Sequence, residues 1–299
     1  MLSGFIALFV SNFIGGALSP LFVKLGTAEI PVAIFTSLRF LIAIIVLLPI
    51  LFVTKNQFDK KHVKELVLYS LFFSANVILY AIGLKFTTAL VSQILYTTVP
   101  IFTGIFSYLI IHERFGFNKI AGAILAMMGV GFIIYESLQK SGGLTFGTPL
   151  GNSILIVAIL SWSMYLVISK RLTSIYSPLV TTFSSFVITF IIATLFVPFE
   201  LLTSHFSFSS VTTSGSISVL GVGIFSSALS FFLIQYGVKK TTPFTSSLFF
   251  YLAPLFSSLT AIPILHEKVS PQLIFGGILI LTGVFFATTY EFVKKMKSG

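Results

Sequence analysis

The chain has no cysteine, a single aspartate and a single tryptophan in 299 residues, and only 9% of it is charged. Without cysteine there is no disulfide framework, no thiolate metal site and no thiol nucleophile. A soluble globular protein carries about a quarter charged residues, so a soluble domain is excluded. Acidic residues are scarce, 8 against 18 lysines and arginines, for a net charge of +10. The basic residues sit in short loops and at the C-terminus rather than on a soluble basic domain, which argues against a nucleic-acid partner. No GxxxxGK[ST] loop is present, so ATP is not the direct energy source, and the HExxH zinc pattern is missing too. The alternating ten-residue segments of a membrane β-barrel are also absent.

What is present is apolar. Hydrophobic residues make up 56% of the chain, with 35 phenylalanines and a mean hydropathy of +1.05. Runs of about 20 apolar residues, each long enough for a hydrocarbon core of about 30 Å, recur from end to end. The fold expected is an all-α membrane protein of ten transmembrane helices, near residues 3–23, 32–53, 65–84, 88–111, 118–137, 151–170, 178–199, 215–236, 243–264 and 272–293. The first span lacks a basic leader and a small-residue cleavage site, so it reads as a retained helix. Pro31, Pro149, Pro178, Pro243 and Pro271 stand near span starts, where proline is tolerated. The Gly- and Ser-rich stretch Ser137–Pro149 divides the chain into two five-span halves, 1–140 and 148–295, and the Ser/Thr-rich stretch Thr203–Ser218 reads as a surface loop.

The halves repeat each other. The stretch from Gly83 and the stretch from Gly237 align without a gap. They share Gly83/Gly237, Lys85/Lys239, Thr87/Thr241, Thr88/Thr242, Pro100/Pro254, His112/His266, Glu113/Glu267, Gly122/Gly276 and Gly129/Gly283. Loops on one side of the spans carry thirteen basic residues and those on the other carry four, Lys24, Lys85, Lys140 and Lys268. This bias assigns both termini to the cytoplasm. Five spans is an odd number, so the second half enters the membrane from the opposite side. The halves are therefore expected to be inverted repeats, which many secondary transporters use to build two access states from one architecture.

The paired five-span halves resemble the EamA domains of the drug/metabolite transporter superfamily. The resemblance is carried by a helix with a central proline (Pro100, Pro254) that ends in a glutamate (Glu113, Glu267), followed by a glycine-bearing helix (Gly122, Gly129; Gly276, Gly283). The Leu38-Arg39-Phe40 stretch in the second span is similar to that family's habitual arginine. The second half departs from the pattern, with Ser185 and Phe186 where the counterpart of Arg39 belongs. The resemblance covers about residues 1–295. It implies a ten-helix carrier in the cell membrane, mostly an exporter of amino acids, purines or other small metabolites, with the first, third, fourth, sixth, eighth and ninth helices around a central cavity.

Polar residues form stripes on those spans: Asn12 on the first, Asn76 and Tyr80 on the third, Gln93 and Tyr96 on the fourth, Trp162 and Tyr165 on the sixth, Tyr251 on the ninth. These are the cavity candidates, since large amphipathic side chains suit an apolar pocket with a few aimed polar groups. Ser and Thr on the same stripes read as interhelical glue. Pro100 and Pro254 each remove a backbone hydrogen bond in mid-span and are expected to kink it, as a shaping bend or a hinge. Arg39, a charge within a span, must face protein or water, either binding an anionic substrate group or tying its helix to neighbours. The His-Glu corners are read as helix ends, with Glu113 pairing Arg114 or Lys119 and Glu267 pairing Lys268. The glycine pairs are expected to serve close packing. No catalytic residue, metal or cofactor is expected; the partners are a small-molecule substrate and the bilayer, in a monomer or homodimer. Two other readings stand beside the carrier: a lipid or polyprenyl-linked substrate translocator, with a lateral opening, and a membrane-embedded enzyme.

Overall fold

The protein's structure is a computed structural model that describes residues 1–54, 59–87, 89–140, 148–204, 206–256 and 271–297. Among these residues it is helical throughout, without a strand. Helix α1 (Leu2–Phe13) passes through a π-helical stretch, Ile14–Leu18, into α2 (Ser19–Glu29). Then come α3 (Val32–Val53), α4 (Val63–Phe86), α5 (Ala89–Tyr96), α6 (Val99–Ile111) and α7 (Phe117–Lys140). Helices α8 (Pro149–Ile175) and α9 (Pro178–Thr203) follow, then α10 (Thr213–Gly221), a second π stretch, Val222–Phe231, and α11 (Phe232–Lys240). The chain closes with α12 (Pro243–Leu248), the 3-10 turn Phe249–Tyr251, a helical run over 252–256, and α13 (Pro271–Lys297). Seven helical spans among the described residues are long and apolar enough to cross a membrane, and three further apolar helices are shorter, Leu2–Leu18, Pro243–Phe256 and Ile274–Thr288.

Proline sets the starts. Pro149, Pro178, Pro243 and Pro271 each open a helix. At the first three the preceding hydroxyl, of Thr148, Ser177 or Thr242, accepts a free amide of the first turn, a cap worth about 1 kcal/mol. The loop expected over Thr203–Ser218 is shorter than read, because Thr212 caps α10 and the helix already begins at Thr213. Pro100 does more than kink its span. The helix is interrupted at Thr97 and Thr98, whose amides bond back three residues to Ile94 and Leu95, and Pro100 stands in the first turn of α6. Pro254 follows the 3-10 turn in the same way.

Two glycine-lined contacts organise the packing. Helix α7 lies along α13, with Gly122 against Gly283 and Gly129 against Gly276. The register rises in one helix as it falls in the other, so the two run antiparallel. Likewise Gly83 of α4 receives Leu155 of α8, as Gly237 of α11 receives Leu8 of α1. Phe40 of α3 meets Phe186 of α9 at 5.2 Å between centroids. Hydroxyls join α4 to α9, with Ser74 and Thr189 2.7 Å apart and Ser70 3.3 Å from Ser184, and Ser11 bonds the carbonyl of Ser230 at 2.9 Å. Each such bond between helices contributes about 0.6 kcal/mol. Outward faces carry exposed Phe52, Leu195, Phe199, Leu202 and Phe285, the apolar girdle that lipid requires.

Candidate functional site

The face of α4 formed by Tyr69, Phe73, Asn76 and Tyr80 lies at helical spacing i, i+4, i+7, i+11, opposite the face of α8 formed by Ala158, Trp162, Tyr165 and Ser169. Helices α4 and α8 pack along their lengths, which brings the two stripes together. Asn76 spends both amide protons on protein, donating to the Tyr96 hydroxyl at 2.7 Å and the Ala158 carbonyl at 2.8 Å. Tyr96 stands edge-on to Tyr80 with centroids 5.1 Å apart. The Arg39 guanidinium lies within electrostatic range of Tyr80; its Nε donates to Ser227 of the second π stretch at 2.9 Å, and its central carbon sits 5.0 Å from the Phe40 ring centroid. Arg39 thus ties α3 to the π stretch, while its terminal nitrogens make no hydrogen bond among the described residues.

Deeper in the bundle an aromatic box surrounds Trp162, midway along the 27-residue α8. Its neighbours are Tyr165 at 5.0 Å, Phe250 at 5.7 Å, Phe231 at 5.9 Å and Phe73 at 6.3 Å between centroids. Tyr69 stacks on Tyr165 at 4.4 Å. Trp162 Nε1 and the Ser226 hydroxyl are buried with no hydrogen-bond partner, while the Tyr69 and Tyr165 hydroxyls face each other, with Thr181, Ser185 and Gln235 within interaction range. Gln235 is held by Ser169, which donates to its Oε1. An unmatched buried donor costs about 1–3 kcal/mol, so the Trp162 N–H in this aromatic setting calls for an acceptor that enters it.

Of the sequence candidates, Asn76, Tyr80, Tyr96, Trp162 and Tyr165 therefore converge, with Arg39 beside Tyr80. Asn12 does not join them; its amide donates to Leu8 of its own helix at 2.8 Å. Tyr251 is buried in a separate apolar cluster with Leu8, Leu248 and Leu252. The side chain of Gln93 and the whole His266-Glu267 corner with Lys268 lie outside the described residues. At the other corner His112 takes the left-handed conformation that ends α6 (φ 53°), and Glu113 pairs with Lys119 at 3.1 Å, both nearly buried. Sequence reasoning missed Tyr69, Phe73, Phe231, Phe250 and Gln235. For Tyr69 and Phe73 the signal was available, because they continue the Asn76–Tyr80 stripe. Gln235 and the two phenylalanines gave none, since Phe231 and Gln235 lie at the end of and just after the π stretch and Phe250 lies in a 3-10 turn, breaks in the helical period that the sequence does not mark.

A bundle of long apolar helices around a buried aromatic and polar interior is that of a multi-pass helical membrane protein. The chain belongs to the EamA-like transporter family, which matches it twice, over residues 2–135 and 149–289. It is 30% identical over 270 residues to YetK, an uncharacterized transporter of Bacillus subtilis, covering 88% of this chain and 80% of the relative. An uncharacterized transporter of Archaeoglobus fulgidus is 26% identical over 278 residues, 91% of this chain and 92% of its own. A protein solved by crystallography shares the fold with a TM-score of 0.77 at 21% identity, over 97% of this chain and 96% of that one.

Proposed function

We propose that the protein is a secondary transporter that exports a small amino-acid-like or purine-like metabolite by alternating access, with the aromatic box as its binding site. The observation that carries this reading is the buried Trp162 Nε1, which has no hydrogen-bond partner and is set among the rings of Tyr165, Phe250, Phe231 and Phe73. A carboxylate, carbonyl or ring nitrogen supplies the acceptor this indole lacks, and the aromatic faces suit a planar body.

The architecture proposed is ten spans in two inverted five-helix repeats, residues 1–140 and 148–295, with both termini in the cytoplasm. Three contacts support it. The antiparallel packing of α7 on α13 pairs each glycine with the counterpart of the other, the reciprocal pattern of a two-fold relation. The Gly83–Leu155 and Gly237–Leu8 contacts repeat one geometry at opposite ends, and Phe40 meets Phe186. The interrupted spans at Pro100 and Pro254 are the discontinuous helices such carriers use near the midplane, and we assign them as hinges. Facilitated diffusion or exchange is the simplest coupling, since the glutamates lie near span ends.

The test is efflux from proteoliposomes loaded with isotope-labelled amino acids and nucleobases, read by mass spectrometry. Tyr165→Phe keeps its ring and removes one donor, and efflux is expected to fall about tenfold, the value of one or two hydrogen bonds, with normal melting; Trp162→Phe keeps an aromatic ring, removes the indole N–H and should lower efflux at least as much. Efflux at the wild-type rate in both variants would remove the box from the mechanism. Trp162→Ala is the wrong probe, since emptying so packed a site costs about 3–5 kcal/mol by itself.

A second reading, a translocator of lipid or polyprenyl-linked substrate, is favoured by one observation, a lateral groove between α4 and the α3–α9 pair. Movement of labelled lipid with no efflux of soluble metabolites would select it.

A further inference from the structure

The hydroxyl contacts between α4 and α9 run through Ser70, Ser74, Ser184 and Thr189. Further along α4, towards Phe86, a groove of about 710 Å³ opens between α4 on one side and α3 with α9 on the other. Ile78 and Ile82 of α4 and Phe196 of α9 form its apolar walls, and Lys85, Glu29 and Glu200 stand at its rim. This size is in the range of small-ligand sites, about 300–1,000 Å³.

The rim charges are not equivalent. Glu29 is committed, both carboxylate oxygens accepting from Thr212 at the start of α10. Glu200 is half committed: Oε2 accepts from the amides of Ala33 and Ile34 at 2.7 and 3.1 Å, closing the N-terminus of α3, and Oε1 has no such partner. Lys85, exposed in the last turn of α4, makes no ion pair among the described residues. An apolar trough thus ends between one cation and one available carboxylate oxygen.

We propose that this groove binds a membrane phospholipid with a primary-amine headgroup, of the phosphatidylethanolamine class. Its phosphate sits on Lys85, its ammonium donates to Glu200 Oε1, and an acyl chain lies along Ile78, Ile82 and Phe196. A choline headgroup carries the same charges but has no N–H to give Glu200. A glycerol headgroup adds negative charge without an ammonium, and meets the two rim glutamates unfavourably. The groove lies apart from the aromatic box, so the proposal stands whether or not the box binds the transported solute.

The experiment is native mass spectrometry of the intact protein, titrated in turn with the ethanolamine, choline and glycerol phospholipids carrying identical palmitoyl-oleoyl chains. The ethanolamine lipid is expected to be retained at least threefold more than either of the others. Lys85→Gln, which alters an exposed side chain, and Ile82→Trp, which fills the trough, should each remove that preference in protein that still elutes as a sharp monodisperse peak. Equal retention of all three lipids would mean ordinary boundary lipid and overturn the proposal. Stronger retention of the glycerol lipid, or an ethanolamine preference untouched by both substitutions, would overturn it as well.

Discussion

Replacing Lys119 with methionine is expected to lower the stability of the folded protein by about 3–5 kcal/mol, the cost of breaking a buried ion pair by removing one partner. Lys119 Nζ lies 3.1 Å from Glu113 Oε1 and 3.5 Å from the Thr242 hydroxyl, with the ion-paired side chains only 6% and 8% exposed. Glu113 Oε2 already lacks a partner, so without Lys119 a buried carboxylate would be left uncompensated. Lys119 also links the α6–α7 corner to the cap of α12, joining the first half of the chain to the second. Thermal unfolding in detergent reads the effect. Glu113→Gln added to Lys119→Met should restore most of the loss, because neutralising both members removes the stranded charge. A single variant that melts with the wild type would show the pair to be solvated and energetically idle. The position matching Lys119 in the second copy of the repeat is Leu273, so this link has no lysine counterpart there.

The second large effect is expected at Gly129. A β-carbon built there would stand 2.5 Å from the Gly276 carbonyl oxygen and 2.8 Å from the Ile280 amide nitrogen. Both are backbone atoms and cannot rotate away, so relief requires α7 and α13 to separate along the most extensive helix contact among the described residues. Overpacking a close contact costs about 1–3 kcal/mol and sometimes more. Gly129→Leu should therefore fall at or beyond the upper end, with a severalfold loss of folded protein in the membrane. At Gly131, two residues on in the same helix, a β-carbon would meet nothing within 4 Å. Gly131→Ala should be neutral or stabilising by up to about 1 kcal/mol through helix propensity. Size-exclusion yield of the two variants side by side checks this. Equal yields would place the close approach elsewhere.

Much of the fold was legible because a bilayer leaves a chain few options. Backbone groups in hydrocarbon must be satisfied within the segment, so apolar runs become helices, and prolines mark starts such as Pro149, Pro178 and Pro243. The stripes Asn76–Tyr80 and Trp162–Tyr165 were readable from the 3.6-residue period alone. Asn12 and Tyr251 were read from the same period. Periodicity tells which face a residue occupies and not what that face meets, and theirs meet their own helix and a closed apolar cluster.

The sequence by itself determined that the protein is helical and membrane-embedded, that its halves repeat, and that its chemistry excludes thiols and an ATP-binding loop. These follow from composition, spacing and local propensity, each a property of neighbouring residues. Only the tertiary structure decided that Gln235, Phe231 and Phe250 join Trp162, that Arg39 reaches Ser227, that Lys119 rather than Arg114 takes Glu113, and that Gly129 faces Gly276. Each of these depends on two helices distant in the chain and on π stretches and helix breaks that shift side chains around the axis, and no local pattern encodes such a pairing.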